Sequence, residues 1–230
     1  SLSLSLQYDM LLAILYYQQD EMKCVEGLLT QTLQRRKKYL GSGHILCVDA
    51  SLALIRVLSE EGLFLKAETL GVTVLHQGRI LSLRGKGYAH TLLLQTALAD
   101  LYAVQGRLED SENIKDTVYR KAESFWGSYH LHTLSLSLSL LTTYMDRGKV
   151  IEAEKFLSLS VSRCKRSLSL SHPLTLRMMD LYVTALLNLG KYEEAEREGV
   201  IIVEERERER ERSMKRERKR CILDSIVLGI

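Results

Sequence analysis

Apolar residues along this chain return at helical spacing, in stretches of about four turns that glycines keep cutting off. In residues 90–105 the stripe is Leu94, Leu98, Leu101 and Tyr102, and it stops at Gly106. Glycine reaches the left-handed conformation that closes a helix without a Cβ penalty. Read this way throughout, the chain predicts helix pairs at about 7–19 with 23–38, 46–61 with 65–83 and 90–105 with 109–125. Two more follow at 132–147 with 151–166 and 174–189 with 193 onward. No stretch of alternating pattern with turn residues on both sides argues for a sheet, and a single proline in 230 residues fits an all-α chain.

The pairs are copies of one unit. GLFLKAE begins at Gly62, GRLEDSE at Gly106, GKVIEAE at Gly148 and GKYEEAE at Gly190, with a degenerate DEMKCVE at Asp20. The steps from 20 to 62, 106, 148 and 190 are 42, 44, 42 and 42 residues. A second phrase keeps time with the first: HILCV at His44, YAHTL at Tyr88, HLHTL at His130 and HPLTL at His172. Two markers in phase at a period of this size mean a stacked repeat array. Each position in the phrase has a structural task. The residue two after each glycine (Phe64, Leu108, Val150, Tyr192) packs over the turn. The small residue that follows (Ala67, Ser111, Ala153, Ala195) lets two helices approach closely. The recurrent acid (Glu26, Glu68, Glu112, Glu154, Glu196) complements the positive end of a helix dipole. Thr91, Thr133 and Thr175 cap or bond locally at helix starts, and Pro173 sits just inside one, where a missing N–H costs nothing.

A 42-residue helix–turn–helix unit reading H-P-x-T-L and then G-x-x-x-E-A-E resembles the long tetratricopeptide repeat of kinesin light chains, also found C-terminal to NB-ARC signalling ATPases. HPLTL (172–176) with GKYEEAE (190–196) carries the resemblance most fully, and the likeness runs over about residues 7–205. It implies an α-α superhelix of about five helix pairs, without enzymatic activity, whose concave groove binds a peptide or protein. It also implies a rival: the sensor portion of a multidomain NB-ARC-type ATPase. The family's groove-facing asparagine maps to Leu11, Ala53, Ala97, Ser139 and Leu181, so no asparagine stands there. Neighbours of those positions on the same helical face, four before and three and seven after, give a candidate partner-binding groove. Its polar members are Asp49, Arg56, Glu60, Asp100, Thr142, Asp146, Arg177, Thr184 and Asn188. Four acids against two bases point to a neutral or basic extended partner rather than an acidic one.

One tract challenges the helical reading. Residues 134–141 are a run of Leu and Ser that alternates as far as Leu140, a strand-like period. Yet Thr133 to Gly148 spans the same 15 positions as Thr91 to Gly106, so the tract replaces helix residues without shifting the register. Helix is expected, since leucine favours it and neighbouring repeats supply apolar surface. Leu136, Leu138 and Leu140 then spread around the circumference, which marks this repeat as the weakest of the array.

Charge is concentrated at the end. Residues 204–220 hold nine Lys or Arg and six Glu, a balance of +3 that equals the net charge of the whole chain. Alternating Glu and Arg form pairs along a helix without a partner, so residues 206–230 read as a charged helical extension ending in CILDSIVLGI, the stump of another first helix. The basic run Lys215 to Arg220 allows nuclear import or nucleic-acid contact, and the neutral remainder of the chain counts against the latter. A cytoplasmic protein is expected, with no apolar run of the ~18 residues a membrane span needs. The missing initiator Met suggests a fragment of a longer protein. Cys24, Cys47, Cys164 and Cys221 follow no C-x-x-C spacing and read as reduced thiols. No phosphate-loop, dinucleotide or nucleophile-elbow motif is present, and His130-x-His132 lacks a second ligand pair. The expectation is no catalysis, no cofactor and no metal.

Overall fold

The computed structural model describes residues 11–82, apart from 14, 18, 20 and 43, and residues 88–228; for 77–82, 88, 216 and 218–228 it describes backbone alone. All regular structure among them is helical. After helical residues at 11–13 and 15–17 come α1 (Met22–Leu40), α2 (Ile45–Glu60), α3 (Phe64–Ser82), α4 (Tyr88–Val104) and α5 (Leu108–Trp126). Then follow α6 (Leu131–Asp146), α7 (Val150–Ser167), α8 (Pro173–Asn188) and α9 (Tyr192–Leu228). The boundaries lie within two residues of those the periodicity predicts wherever both are defined, and the Ser/Leu tract is helix. The chain divides into two compact units, residues 1–121 and 122–230.

Within the first unit α1 packs on α2, α2 on α3, α3 on α4, and α2 also on α4. Within the second the order repeats: α6 on α7, α7 on α8, α8 on α9, and α6 on α8. Each unit therefore has its own core. Leu29 of α1, Ile55 and Leu58 of α2, Val74 of α3 and Leu98 of α4 meet in the first. Leu141 of α6, Leu157 and Val161 of α7, Met179 of α8 and Ile202 of α9 meet in the second. The small repeat position is sealed in every copy, with Ala67, Ser111 and Ala153 fully buried and Ala195 nearly so. The bulky turn residue behaves less uniformly. Phe64 and Val150 pack against their cores, but Tyr192 is 69% exposed.

The turns inside the repeats are alike. Gly62, Gly106, Gly148 and Gly190 have φ of 74°, 80°, 72° and 73°. Each is flanked by the same two hydrogen bonds, as when Arg107 N–H donates to the Tyr102 carbonyl at 2.9 Å and Gly106 N–H to that of Ala103 at 3.0 Å. This pairing satisfies carbonyls that the helix end leaves open.

Helix starts differ from the sequence expectation. His44, His130 and His172 are the N-caps, each with extended backbone. Their Nδ1 atoms accept from the N–H two residues on, of Leu46, His132 and Leu174, at 3.2, 3.2 and 3.1 Å. The threonines reach backwards instead: Thr133 Oγ1 donates to the Ala122 carbonyl and Thr175 Oγ1 to that of Ser169. An imidazole is long enough to curl over the first turn, which leaves the hydroxyl free to tie the helix to the segment before it.

The leucines of α6 do not face solvent. Leu134, Leu136, Leu138, Leu140 and Leu141 are all at most 6% exposed, so the ground for expecting a weak repeat is absent. The open arc of the helix is narrow: Ser135 is exposed, and Ser139 and Thr142 are half-buried. Helix α9 runs on from its repeat through residue 205 to Leu228 without a break.

Candidate functional site

Two of the groove positions share a cavity. Arg56 and Glu60, one turn apart on α2, border a hollow of about 310 Å³ whose lining includes Ala13, Val25, Leu29, Ala53 and Val57. Ala53 is the position where the resembling family carries its asparagine. The floor is apolar because the first helix and α1 present their core stripes here, while Arg56 and Glu60 stand exposed at the edge. Tyr17 donates its hydroxyl to Glu60 Oε1 at 3.0 Å and so holds that carboxylate against one wall.

The other candidates are placed differently. Asp49 lies 3.6 Å from His90 Nε2, between α2 and α4. Asp100 is 2.6 Å from the ammonium of Lys115, a side chain only 4% exposed. That acid is structural: without it a buried positive charge loses its counter-charge. In the second unit Thr142 and Thr184 turn their hydroxyls to their own helices, onto the carbonyls of Ser139 and Asp180. Asp146, Arg177 and Asn188 are exposed.

The sequence did not reveal the task of the recurrent acid. Glu68 Oε1 accepts from Tyr102 of the next repeat at 3.0 Å and lies 3.7 Å from Arg107, whose guanidinium is stacked 4.1 Å over the Tyr102 ring. Glu154 accepts from Lys191 at 3.2 Å, and Glu26 lies 3.8 Å from Lys66. In these three copies the acid ties one repeat to the next. Its partner base lies 37 to 40 residues on and at no one repeat position, since Lys66 stands four after its glycine where Arg107 and Lys191 stand one after theirs. A partner so far away cannot be told from a solvated lysine without the fold.

The two buried cysteines are not activated thiols. Burial pushes the Cys164 thiol up to about 11 and Cys47 upward as well, so neither is a thiolate near neutrality. Burial, and next the hydrogen bond to Glu68, raise Tyr102. Among the described residues no three His, Cys, Asp or Glu side chains are grouped to hold a metal ion. No helix there is long and apolar enough to cross a membrane. In the charged extension Arg206 pairs with Asp180, Arg208 with Glu204 and Glu205, and Arg212 with Glu205. The side chains of 216 and 218–220, most of the basic run, lie outside the described residues.

No protein-family profile matches the chain, and no curated protein matches it in sequence. Solved structures do match. A Podosopora anserina protein with nearly identical TPR-like repeats of the kinesin-light-chain type superposes with a TM-score of 0.68 at 22% identity, over 88% of this chain and 95% of that one. BtubC (BKLC) from P. vanneervenii gives 0.72 at 13% identity, over 89% and 80%. A Rap protein complexed with competence and sporulation factor gives 0.60 at 14%, over 89% and 64%. With its stacked helix pairs and these superpositions, the chain is an all-α repeat protein of the TPR-like fold, similar in structure to the kinesin-light-chain type.

Proposed function

We propose that the chain is a non-enzymatic protein-interaction scaffold whose groove face on α2 takes an extended peptide segment of neutral or basic character. The observation that carries this is the apolar cavity of about 310 Å³ with Arg56 and Glu60 at its edge. It is large enough for one apolar side chain, and the paired charges beside it can meet a peptide backbone and a basic neighbour. The TPR-like fold supports the reading, because stacked helix pairs present extended binding surfaces. One structure of that fold is a complex of a Rap protein with competence and sporulation factor. Asp49 and Glu60 keep the nearby surface acidic, which favours a basic partner. Asp100 is better left out of the binding set, since Lys115 occupies it. Nucleic-acid binding through the extension is the weaker reading, because Arg206, Arg208 and Arg212 already face acids.

The test is a titration of labelled basic and acidic peptide pools against the wild type, Ala53→Trp and Glu60→Lys. The wild type is expected to bind the basic pool, less tightly as salt rises. Filling the cavity with Ala53→Trp should weaken binding about tenfold or more, a loss of ~1.4 kcal/mol. Preference of the wild type for the acidic pool, or unchanged binding by Ala53→Trp, removes the proposal.

A further inference from the structure

The alternating Glu and Arg of α9 do not present the same charge on every side. Ala195, Ile202, Arg206, Glu209 and Ser213 fall on one stripe of the helix, at steps of three, four and seven. Ala195 and Ile202 are buried on that stripe, Ile202 in the core shared with α8. The stripe then runs over the turn between α7 and α8. There it borders a hollow of about 510 Å³, lined by Ser171, Arg206, Glu209, Arg210, Arg212 and Ser213. The hollow therefore lies on the side of α9 that faces its own repeat.

Three arginines and one glutamate make the lining positive. Two of the arginines are shared with acids outside it: Arg206 reaches Asp180 through Nη2, and Arg212 reaches Glu205 through Nη1. A guanidinium carries five N–H donors in a planar fork, so one acid leaves donors for a second acceptor. Arg210, one turn beyond Arg206, is exposed and has no paired acid among the described residues. The opposite wall supplies hydroxyls. Ser171 is half-buried, and its Oγ shares a hydrogen bond of 3.2 Å with that of Ser169. It stands just before the N-cap His172, so the positive end of the α8 dipole adds to the same side. Every described side chain lining the hollow is charged or hydroxylic, unlike the largely apolar clefts that hold uncharged small molecules.

We propose that this hollow binds a soluble, phosphate-bearing small molecule, with Arg206 and Arg210 on the phosphate oxygens and Ser171 and Ser213 donating hydroxyl hydrogen bonds. Guanidinium forks suit phosphate because two parallel N–H groups meet two oxygens. Two arginines a turn apart, with a hydroxyl on the facing wall, match the several oxygens of a phosphate or diphosphate. A nucleic-acid backbone is a different ligand, for it needs many phosphates neutralised along a surface. Arg208, on another side of α9, is already turned onto Glu204 and Glu205. The site shares no residue with the groove on α2, so its test does not depend on the peptide reading.

Calorimetric titration of the 230-residue chain with inorganic pyrophosphate tests this. One equivalent is expected to bind, less tightly as salt rises. Arg210→Gln removes an exposed guanidinium and should weaken binding about tenfold, as the loss of one charge-assisted contact does. Glu209→Gln removes the acid of the lining and should tighten it. Arg208→Gln deletes the same charge outside the hollow and should leave the affinity unchanged. Circular dichroism checks that each variant keeps its helix. No saturable binding by the wild type at millimolar pyrophosphate overturns the proposal. So does unchanged affinity in Arg210→Gln, or equal weakening by Arg208→Gln, which would mean attraction to the charge of the helix at large. Should Arg210→Gln lose helicity, Glu209→Gln carries the test, and an affinity no tighter than that of the wild type overturns the proposal.

Discussion

An imidazole that accepts a backbone N–H through Nδ1 must keep its proton on Nε2. His130 and His172 both do this at helix starts, so the cost of removing them can be stated. His172→Ala should lower stability by about 1 kcal/mol, the usual worth of a cap. His172→Asn, a residue that caps well, should restore it. Urea unfolding measures both, and an alanine variant as stable as the wild type would show the cap to be idle. Glycine offers a matched pair. Gly71→Ala gains ~1 kcal/mol of helix propensity but drives a methyl into buried Leu98, where overpacking costs ~1–3 kcal/mol. Gly199→Ala gains the propensity with open space around it. The first should destabilise and the second stabilise, and the same sign for both would refute the packing account. Cys164 adds a pH dependence. Its thiol is raised from 9.0 to about 11, so the folded state holds the proton more tightly than the unfolded chain. The contribution is complete below about pH 9 and lost as pH climbs toward 11. Cys164→Ala should therefore lose less stability than the wild type between pH 8 and 10.5, and equal losses would contradict the assignment.

Among the elements α9 is the odd one, with 37 residues where the other second helices have 18 or 19. Its first part behaves like any second helix, burying Ala195 and Ile202. Glu205, 5% exposed, is held by Arg208 and Arg212. Residues 211–215 are exposed, so the continuation rests on its own i,i+3 and i,i+4 pairs. Such pairs are worth only ~0.2–0.5 kcal/mol each and weaken with salt. A chain ending at Met214 should unfold at the same denaturant concentration as the full chain while giving a smaller helical signal. A marked drop in the midpoint would mean that residues 215–230 pack on the array. Helix α6 teaches the converse. Its period of two would read as a strand in isolation, and it is a helix whose leucines are buried, three of them in the core it shares with α7 and α8.

At the level of the whole molecule, stability in a repeat array is a sum over repeats and nearest-neighbour interfaces. Ala195 is 3% exposed at the close approach of α8 and α9. Ala195→Phe should overpack that pair at a cost of ~1–3 kcal/mol. Hydrogen exchange should quicken in α8 and α9 and leave α1 to α3 protected as before. Equal quickening in α1 to α3 would show a single cooperative block instead of coupled neighbours.

The array itself was legible in the residues, because a repeat states its geometry many times over. Gly62, Gly106, Gly148 and Gly190 mark turns by a backbone requirement that only glycine meets without strain, and such local requirements leave their mark on sequence. The helix pairs, their boundaries and the small buried position followed from the same local rules. What lay beyond was set by distance in the chain. That Glu68 meets Tyr102, that Asp100 neutralises Lys115, and that Ala53, Arg56 and Glu60 open on a hollow walled by Val25 and Leu29 depend on how one repeat leans on the next. The lean is a property of packed surfaces rather than of any one segment. Periodicity places a residue on a face; only the packed structure decides which neighbour fills that face, as Leu98 does at Gly71.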